Sequence, residues 1–536
     1  MSAGSVASAD DGVEHEFTAA ADYQVRSVRI NPLDLSGDTV RETIWTEQRL
    51  RLDLGWELSR VAAVHVQLDA LDGVLFGDNG KYGGDPAPNS GVNLASKRPN
   101  VTRWDVGLLP GGDPLDPDGY GPVLVKADPI EVNYAYGEVY LPLGLLRFGR
   151  QPITDGGFIT SHDGGRRNRW GASEFNDTAD RLLFATKLSE YYRVAAEGDD
   201  YVPDRSRDSG VFFASWYDWY NQGLVYQSSD DLRQIGNGVQ LKKAQADWLG
   251  LDWRGLEFHT YLVHLRDEQF DSRIYSIPLR LKGSVEDTVD IHIQTIVVMG
   301  ETREISEGFS LLGGATEGAA PQKIRSGGAQ VIADVTLGDF VLTFEFDYAS
   351  GDANPGSDTA ITKFGFARDF NVGLLLFERI LRFESARSVG VGIENLASQD
   401  AGSFPLTEVA SDGRFTNALA VFPQLTWNAF DNEQHHLHLR TGVLIAWPDT
   451  GGNVDPILTA LAGDGNRIDD DAVNFHGGKP GSYYGTELDF QIEWIFKKHF
   501  RWTVESAVLI PGSSLEDEHG NATVSWLLEN RLAVVF

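Results

Sequence analysis

NATVSWLLENRLAVVF, residues 521–536, closes the chain, and its reading decides the fold. Taken by twos from the end, Phe536, Val534, Leu532, Leu528, Trp526 and Val524 form one set, broken only at Asn530. The other parity holds Arg531, Glu529, Ser525 and Thr523, mixed with Leu527, Ala533 and Val535. A period of two places these sets on opposite faces of one strand. The apolar set is about as long as a tilted strand needs to cross a bilayer, and it carries an aromatic near each end. The closing strand of a soluble β-sandwich would show the same split, so the decision rests on whether the rest of the chain repeats it.

It does repeat. Phe17, Ala19, Ala21, Tyr23 and Val25 alternate with Asp22, Gln24 and Arg26. Leu50, Leu52, Leu54 and Trp56 oppose Glu47, Arg49, Arg51 and Asp53, and Val64, Val66 and Leu68 oppose His65, Gln67 and Asp69. Late in the chain, Leu437, Leu439, Val443, Ile445 and Trp447 oppose His436, His438 and Arg440. Tyr484, Thr486, Leu488, Phe490, Ile492, Trp494 and Phe496 oppose Glu487, Asp489, Gln491 and Glu493. An unpaired charge in a dry core is very costly, so charges at strict alternate positions on strand after strand call for a wet face. Very short turns near 57–59, 142–144, 188–190, 250–255, 283–287, 337–339, 430–434 and 497–500 alternate with longer loops. That asymmetry predicts an all-β, antiparallel transmembrane outer-membrane β-barrel of about eighteen strands, with short periplasmic turns and long extracellular loops. Residues 1–14 read as a flexible lead and 15–536 as one barrel. Loops 73–128, 153–178, 199–236, 352–413 and 449–482 are expected outside the membrane or folded into the lumen. The ending on Phe536 resembles the terminal strand of bacterial outer-membrane barrels. That resemblance implies the barrel assembly machinery as a partner, beside the bilayer and lipopolysaccharide.

Composition agrees. The chain is 42% hydrophobic with a mean hydropathy of −0.24, and no run of about eighteen apolar residues offers a transmembrane helix. A barrel dilutes its lipid-facing residues with lumen and loop residues, so its hydropathy looks soluble. Cysteine is absent, which excludes disulfides, Cys-ligated zinc and c-type haem and suits an oxidising periplasm. The net charge of −33, from 78 acidic and 45 basic residues, disfavours nucleic acid as a partner. MSAGSVASADDGVEHEF has neither the basic start nor the apolar stretch of a signal peptide; an exported chain is therefore expected here in mature form with an added initiator Met.

LRFGRQPITDGGFITSHDGGRRNRWGASEFNDTADRLLFATK, 146–187, and FNVGLLLFERILR, 370–382, resemble a family of deltaproteobacterial, largely myxobacterial, outer-membrane proteins of unassigned function. The second stretch is more loosely similar to alginate-export porins. The resemblance covers about a tenth of the chain. It implies an eighteen-stranded barrel in the bacterial outer membrane, a transport role and export of an anionic polysaccharide, with periplasmic export components as partners. It brings no catalytic residue.

Read physically, Arg166, Arg167 and Arg169 in loop 153–178, with Arg147, Arg181 and Lys187 on the flanking strands, predict a positive pore constriction in an acidic protein. The plainer reading pairs the loop arginines with Asp155, Asp163 and Glu174 to hold the loop in place. Inward charges Glu47, Arg49, Arg51, Asp53, Glu487, Asp489 and Glu493 would set selectivity. Trp216, Tyr217, Trp219 and Tyr220, in VFFASWYDWY, offer ring faces for sugar stacking, or a small core that ties their loop down. Asp113, Asp116 and Asp118, and Asp464 with Asp469, Asp470 and Asp471, offer clustered oxygens for Ca²⁺, although solvated acidic loops read the same and no other cofactor is expected. Alternation separates His435 from His436 and His438, which argues against a metal site. No nucleophile elbow, HExxH, phosphate loop or dinucleotide fingerprint appears in context, so no enzyme is expected. The reading is a passive channel for ions, hydrophilic solutes or an anionic polysaccharide. A barrel-borne hydrolase and a plugged structural or adhesive barrel are the alternatives.

Overall fold

The computed structural model describes residues 8–10, 13–33, 35, 42–59, 61–77, 130–153, 159–162, 167–173, 177–198, 201–204, 206–219, 232–268, 270–304, 306, 319–353, 359–368, 370–383, 385, 411, 413–450, 481–516 and 520–536. Its strands are β1 (Ser8–Asp10), β2 (Val13–Asn31), β3 (Thr43–Leu58), β4 (Ala62–Gly77), β5 (Ile130–Leu141) and β6 (Gly144–Pro152). β7 (Thr178–Lys187) is followed by helix α1 (Leu188–Glu197), then β8 (Gly210–Trp219), β9 (Arg233–Trp248), β10 (Leu251–Asp267), β11 (Ser272–Val285) and β12 (Val289–Thr302). β13 (Gln322–Leu337), β14 (Phe340–Ala349), β15 (Ala418–Asp431), β16 (His435–Pro448), β17 (Gly485–Phe496), β18 (Phe500–Pro511) and β19 (Ser525–Val535) complete the sheet.

Each strand from β2 to β19 pairs antiparallel with its sequence neighbours, and β19 returns to β2 from Trp526↔Asn31 to Val535↔Asp22. The ring is closed at eighteen strands, so no edge is left unpaired. The backbones of Ala21 and Phe536 bond in both directions at the seam. The predicted faces hold on the terminal strand: Leu528 and Leu532 are exposed outward, while Leu527, Glu529 and Ala533 are buried inside. Asn530, the break in the apolar set, accepts from Trp502 Nε1 at 2.7 Å on the outer face. Aromatics gird the periplasmic rim, with Phe17 stacked on Trp56 and Phe340 on Trp427. A closed antiparallel ring with an outward apolar band and this turn asymmetry is an integral outer-membrane β-barrel.

Four expectations need correction. The turn near 188–190 is helix α1, and the chain returns through 198–209. The loop expected over 199–236 contains β8 and the start of β9; the density of aromatics in VFFASWYDWY hides its alternation. Part of the expected lead is paired, since β1 bonds to Val13–His15. Tyr484 belongs inside, fully buried, because the positive φ of Gly485 (136°), the first residue of β17, breaks the parity there.

The interior differs most from expectation. Around the ends of β2, β14–β18 and the segment 359–383 lies a dry apolar core, including Phe366, Leu375, Leu376, Phe377, Ile380, Phe415, Phe422 and Tyr484. The segment FNVGLLLFERILR supplies much of it as a buried plug, π-helical over Leu376–Leu381. Buried aromatics contribute about 1.5–3 kcal/mol each by leaving water, so the plug is a substantial packing element.

Candidate functional site

The described residues of loop 153–178, 159–162 and 167–173, lie inside the barrel. Trp170 is buried, stacked on Phe422 at 5.7 Å, with Nε1 donating to Gln424 at 3.1 Å. The Ile159 N–H donates to Gln294 (3.0 Å) and the Gly171 N–H to Glu505 (2.9 Å), so the loop bonds to both sides of the wall. Arg169 forms a bidentate pair with Asp334 at 2.7 and 2.8 Å, and Arg167 pairs with Glu493. Arg169 thus fastens the loop to β13, and Arg167 reaches β17 while its side chain stays half exposed. Arg166, Asp155, Asp163 and Glu174 lie outside the described residues.

The flanking cations are paired as well. Arg181 is buried, holds Asp218 through two bonds of 2.6 and 2.8 Å, and donates to the Ile153 carbonyl at 2.7 Å. Arg147 bonds Glu138 at 2.7 Å, and Lys187 bonds Asp204 at 2.7 Å. The expected lumen charges all point inward. Glu47 pairs with Arg26, Arg51 with Asp69 through two bonds of 2.7 Å, and Arg49 donates to the Ser173 carbonyl at 3.1 Å. Asp53 accepts from Gln67 and Tyr134. Charges removed from water persist only when paired or hydrogen-bonded, so these groups are lining and scaffold at once.

Glu487 has a different task. Its Oε1 accepts the N–H groups of Leu374 (2.7 Å) and Leu375 (2.8 Å), and Oε2 accepts that of Leu376 (2.6 Å). The opening turn of a helix has unsatisfied N–H groups, and a carboxylate there meets both them and the helix dipole. Asp489, two residues along the strand, is buried beside it. Arg379, on the plug, lies over the Trp45 ring and reaches Glu529 on β19 at 4.0 Å.

Beside the plug a cavity of about 1390 Å³ runs along the inner faces of the β5–β12 wall. Ile153, Thr160, Ser161 and Asp177 bound it from loop 153–178, and Glu190, Val202, Asp204, Ser206 and Arg207 from the α1 connection. Arg147, Arg181, Lys187 and Lys242 share its wall with Phe212, Trp216, Tyr261 and Val263. Glu57, Asp177, Glu190 and Asp204 balance those cations, so the chamber is amphipathic rather than a positive ring. Trp216 packs against the Arg181 guanidinium at 5.1 Å and edge-on to Tyr261, and its Nε1–H has no hydrogen-bond partner among the described residues. Lys187 and the N–H of Ser206 hold the Asp204 carboxyl down at about 2.

The expected aromatic cluster divides. Trp216 faces the chamber, but Tyr217 and Trp219 share the outer face with exposed Leu182 and Ile235, because cross-strand partners lie on one side of a sheet. They belong to the interfacial girdle and are removed from any path through the lumen. Tyr220 and the acidic candidates Asp113, Asp116, Asp118, Asp464, Asp469, Asp470 and Asp471 lie outside the described residues. His436 bonds Asp431 at 2.6 Å, His438 bonds Asn428 at 2.7 Å, and His435 stacks on Trp494. Ser173 Oγ sits 3.4 and 3.3 Å from Nδ1 and Nε2 of His162. Near-equal distances place it off both lone pairs, which is not a nucleophile–base geometry. Glu257, with Lys242, Arg280 and Lys282 around it at 3.9, 3.3 and 2.8 Å, was missed by the sequence reading. Its signal was present: Glu257, His259 and Tyr261 alternate in β10.

No protein-family model matches the chain, and no curated protein matches it. Among solved structures, it is similar to the outer membrane protein OprD from Pseudomonas aeruginosa, with 10% identity over 97% of this chain and 93% of that chain, TM-score 0.44. It is also similar to Acinetobacter baumannii OccAB1, with 8% identity over 97% of each chain, TM-score 0.45. Pseudomonas putida OprB gives 8% identity over 97% of this chain and 94% of that chain, TM-score 0.43.

Proposed function

We propose that the barrel is a passive outer-membrane channel for small hydrophilic solutes, and that the chamber along β5–β12 selects them. The chamber itself carries this reading. Its volume of about 1390 Å³ exceeds the roughly 300–1,000 Å³ usual for a drug-sized ligand, as a passage must. Its mixed wall suits small organic ions with an apolar body, met by paired charges at the sides and by the free Trp216 N–H. Polysaccharide export draws no support from this interior, whose arginines are engaged by wall carboxylates instead of standing along a track.

Liposome swelling with a size series of amino acids, organic acids and oligosaccharides tests it. Entry of the small ions with a sharp loss of rate for the oligosaccharides is expected. No swelling with any solute contradicts it and favours a plugged barrel, the reading that the buried 370–383 segment supports. The two part clearly in one variant: if only a chain with 370–383 replaced by a Gly-Ser linker conducts, the parent is a plugged barrel.

A further inference from the structure

We infer that the outer face of β8–β10 is an interface between two copies of this chain, centred on Asn237. Asn237 is exposed on the outer face of β9, between Ile235 and Val239 along the strand. Its cross-strand neighbours are Ser215 on β8 and Leu262 on β10. On the same face the exposed charges of Arg233 and Lys243 bracket it, a separation that matches the roughly 9–11 residues of a membrane-crossing strand. The carboxamide therefore lies within the hydrocarbon band.

Several other polar side chains on the outer face have partners within the barrel, and those without one among the described residues, Thr295, Ser506 and Ser215, are small hydroxyls, not carboxamides. Asn530 accepts from Trp502, Gln48 from Tyr23, and Thr441 and Thr260 donate to the carbonyls of Asp489 and Pro278. Asn237 forms no hydrogen bond among the described residues. An amide facing acyl chains unpaired is costly, and lipid tails offer neither donor nor acceptor. A carboxamide carries both, so two copies related by a twofold axis satisfy each other, residue to same residue. The small side chain of Ser215 beside it permits close approach.

The apolar band gives an independent argument. Between Arg233 and Lys243 the outer face of β9 holds only Ile235, Val239 and Leu241 around Asn237, whereas β17 presents Leu488, Phe490, Ile492, Trp494 and Phe496 without a charge. A locally short hydrophobic stretch is relieved by association.

The absence of cysteine makes the test direct, since Asn237→Cys is a single thiol. Under mild oxidation in membranes, Asn237→Cys should run mainly as a disulfide-linked dimer on non-reducing gels, while Leu488→Cys, eight strands round the ring, stays monomeric. Light scattering in mild detergent should give a dimer for the parent and a monomer for Asn237→Leu. A monomeric or trimeric parent, Asn237→Cys linked no more than Leu488→Cys, or an adduct with a different protein overturns the inference.

Discussion

Glu487 of β17 holds the backbone nitrogen of Leu374 at 2.7 Å, and so ties the barrel wall to the first turn of the plug. With Leu375 and Leu376 also bound, one carboxylate satisfies three amides that the helix cannot satisfy itself. Glu487→Ala should weaken plug docking by about 2–3 kcal/mol, the usual loss when buried donors are left without a charged acceptor. Hydrogen exchange at the amides of Leu374, Leu375 and Leu376 should then quicken by on the order of 30-fold or more. Glu487→Gln, which keeps an acceptor, should fall between. Unchanged exchange in both variants would contradict this role.

Arg169 and Asp334 join loop 153–178 to β13 through two bonds and are both partly shielded from water. A double-mutant cycle with Arg169→Ala and Asp334→Ala, read by urea unfolding of the folded barrel, should give a coupling of about 1–2 kcal/mol. Additive losses would show that the pair contributes only packing.

The fold was legible because most lipid-facing side chains obey one rule, apolar at alternate positions, and the rule repeats from Phe17 to Phe536. Inward direction was equally legible for Glu47, Arg51, Glu487 and Glu493. Their partners were not. Arg167 meets Glu493 across 326 positions of chain and Arg169 meets Asp334 across 165, and no local pattern encodes where two elements meet inside a closed ring. That loop 352–413 enters the lumen was an expectation, but the π-helical form of FNVGLLLFERILR and the seating of its Arg379 near Trp45 and Glu529 were not legible, because they depend on partners far away in the chain.

Trp216 and Gly236 are coupled by space. They are cross-strand partners, and a side chain built on Gly236 would collide with the Trp216 indole. Gly236→Ala should push the indole into the chamber, lower the conductance and cost about 1–3 kcal/mol of stability. Trp216→Ala should raise the conductance. Both are read in planar bilayers; equal conductance for both variants would place the current elsewhere.

Asp204 and Lys187 pair at the periplasmic end of the chamber. The carboxyl, near 4 when free, is held down at about 2, so its stabilising contact is complete above about pH 4 and is lost as pH falls towards 2. Hydrogen-exchange protection factors in 188–209, corrected for the intrinsic pH dependence of exchange, should therefore fall over that window in the parent and be low throughout it in Asp204→Asn. A parent segment insensitive to acid would contradict the pairing.

The most direct measurement is current through single barrels carrying one thiol in the chamber wall, Ala214→Cys, before and after a bulky charged thiosulfonate is added. The account predicts a conducting parent indifferent to the reagent and a variant whose current falls on modification, while Leu488→Cys on the outer face is unaffected. A silent parent, or an Ala214→Cys current that survives complete modification, would contradict passage through this chamber.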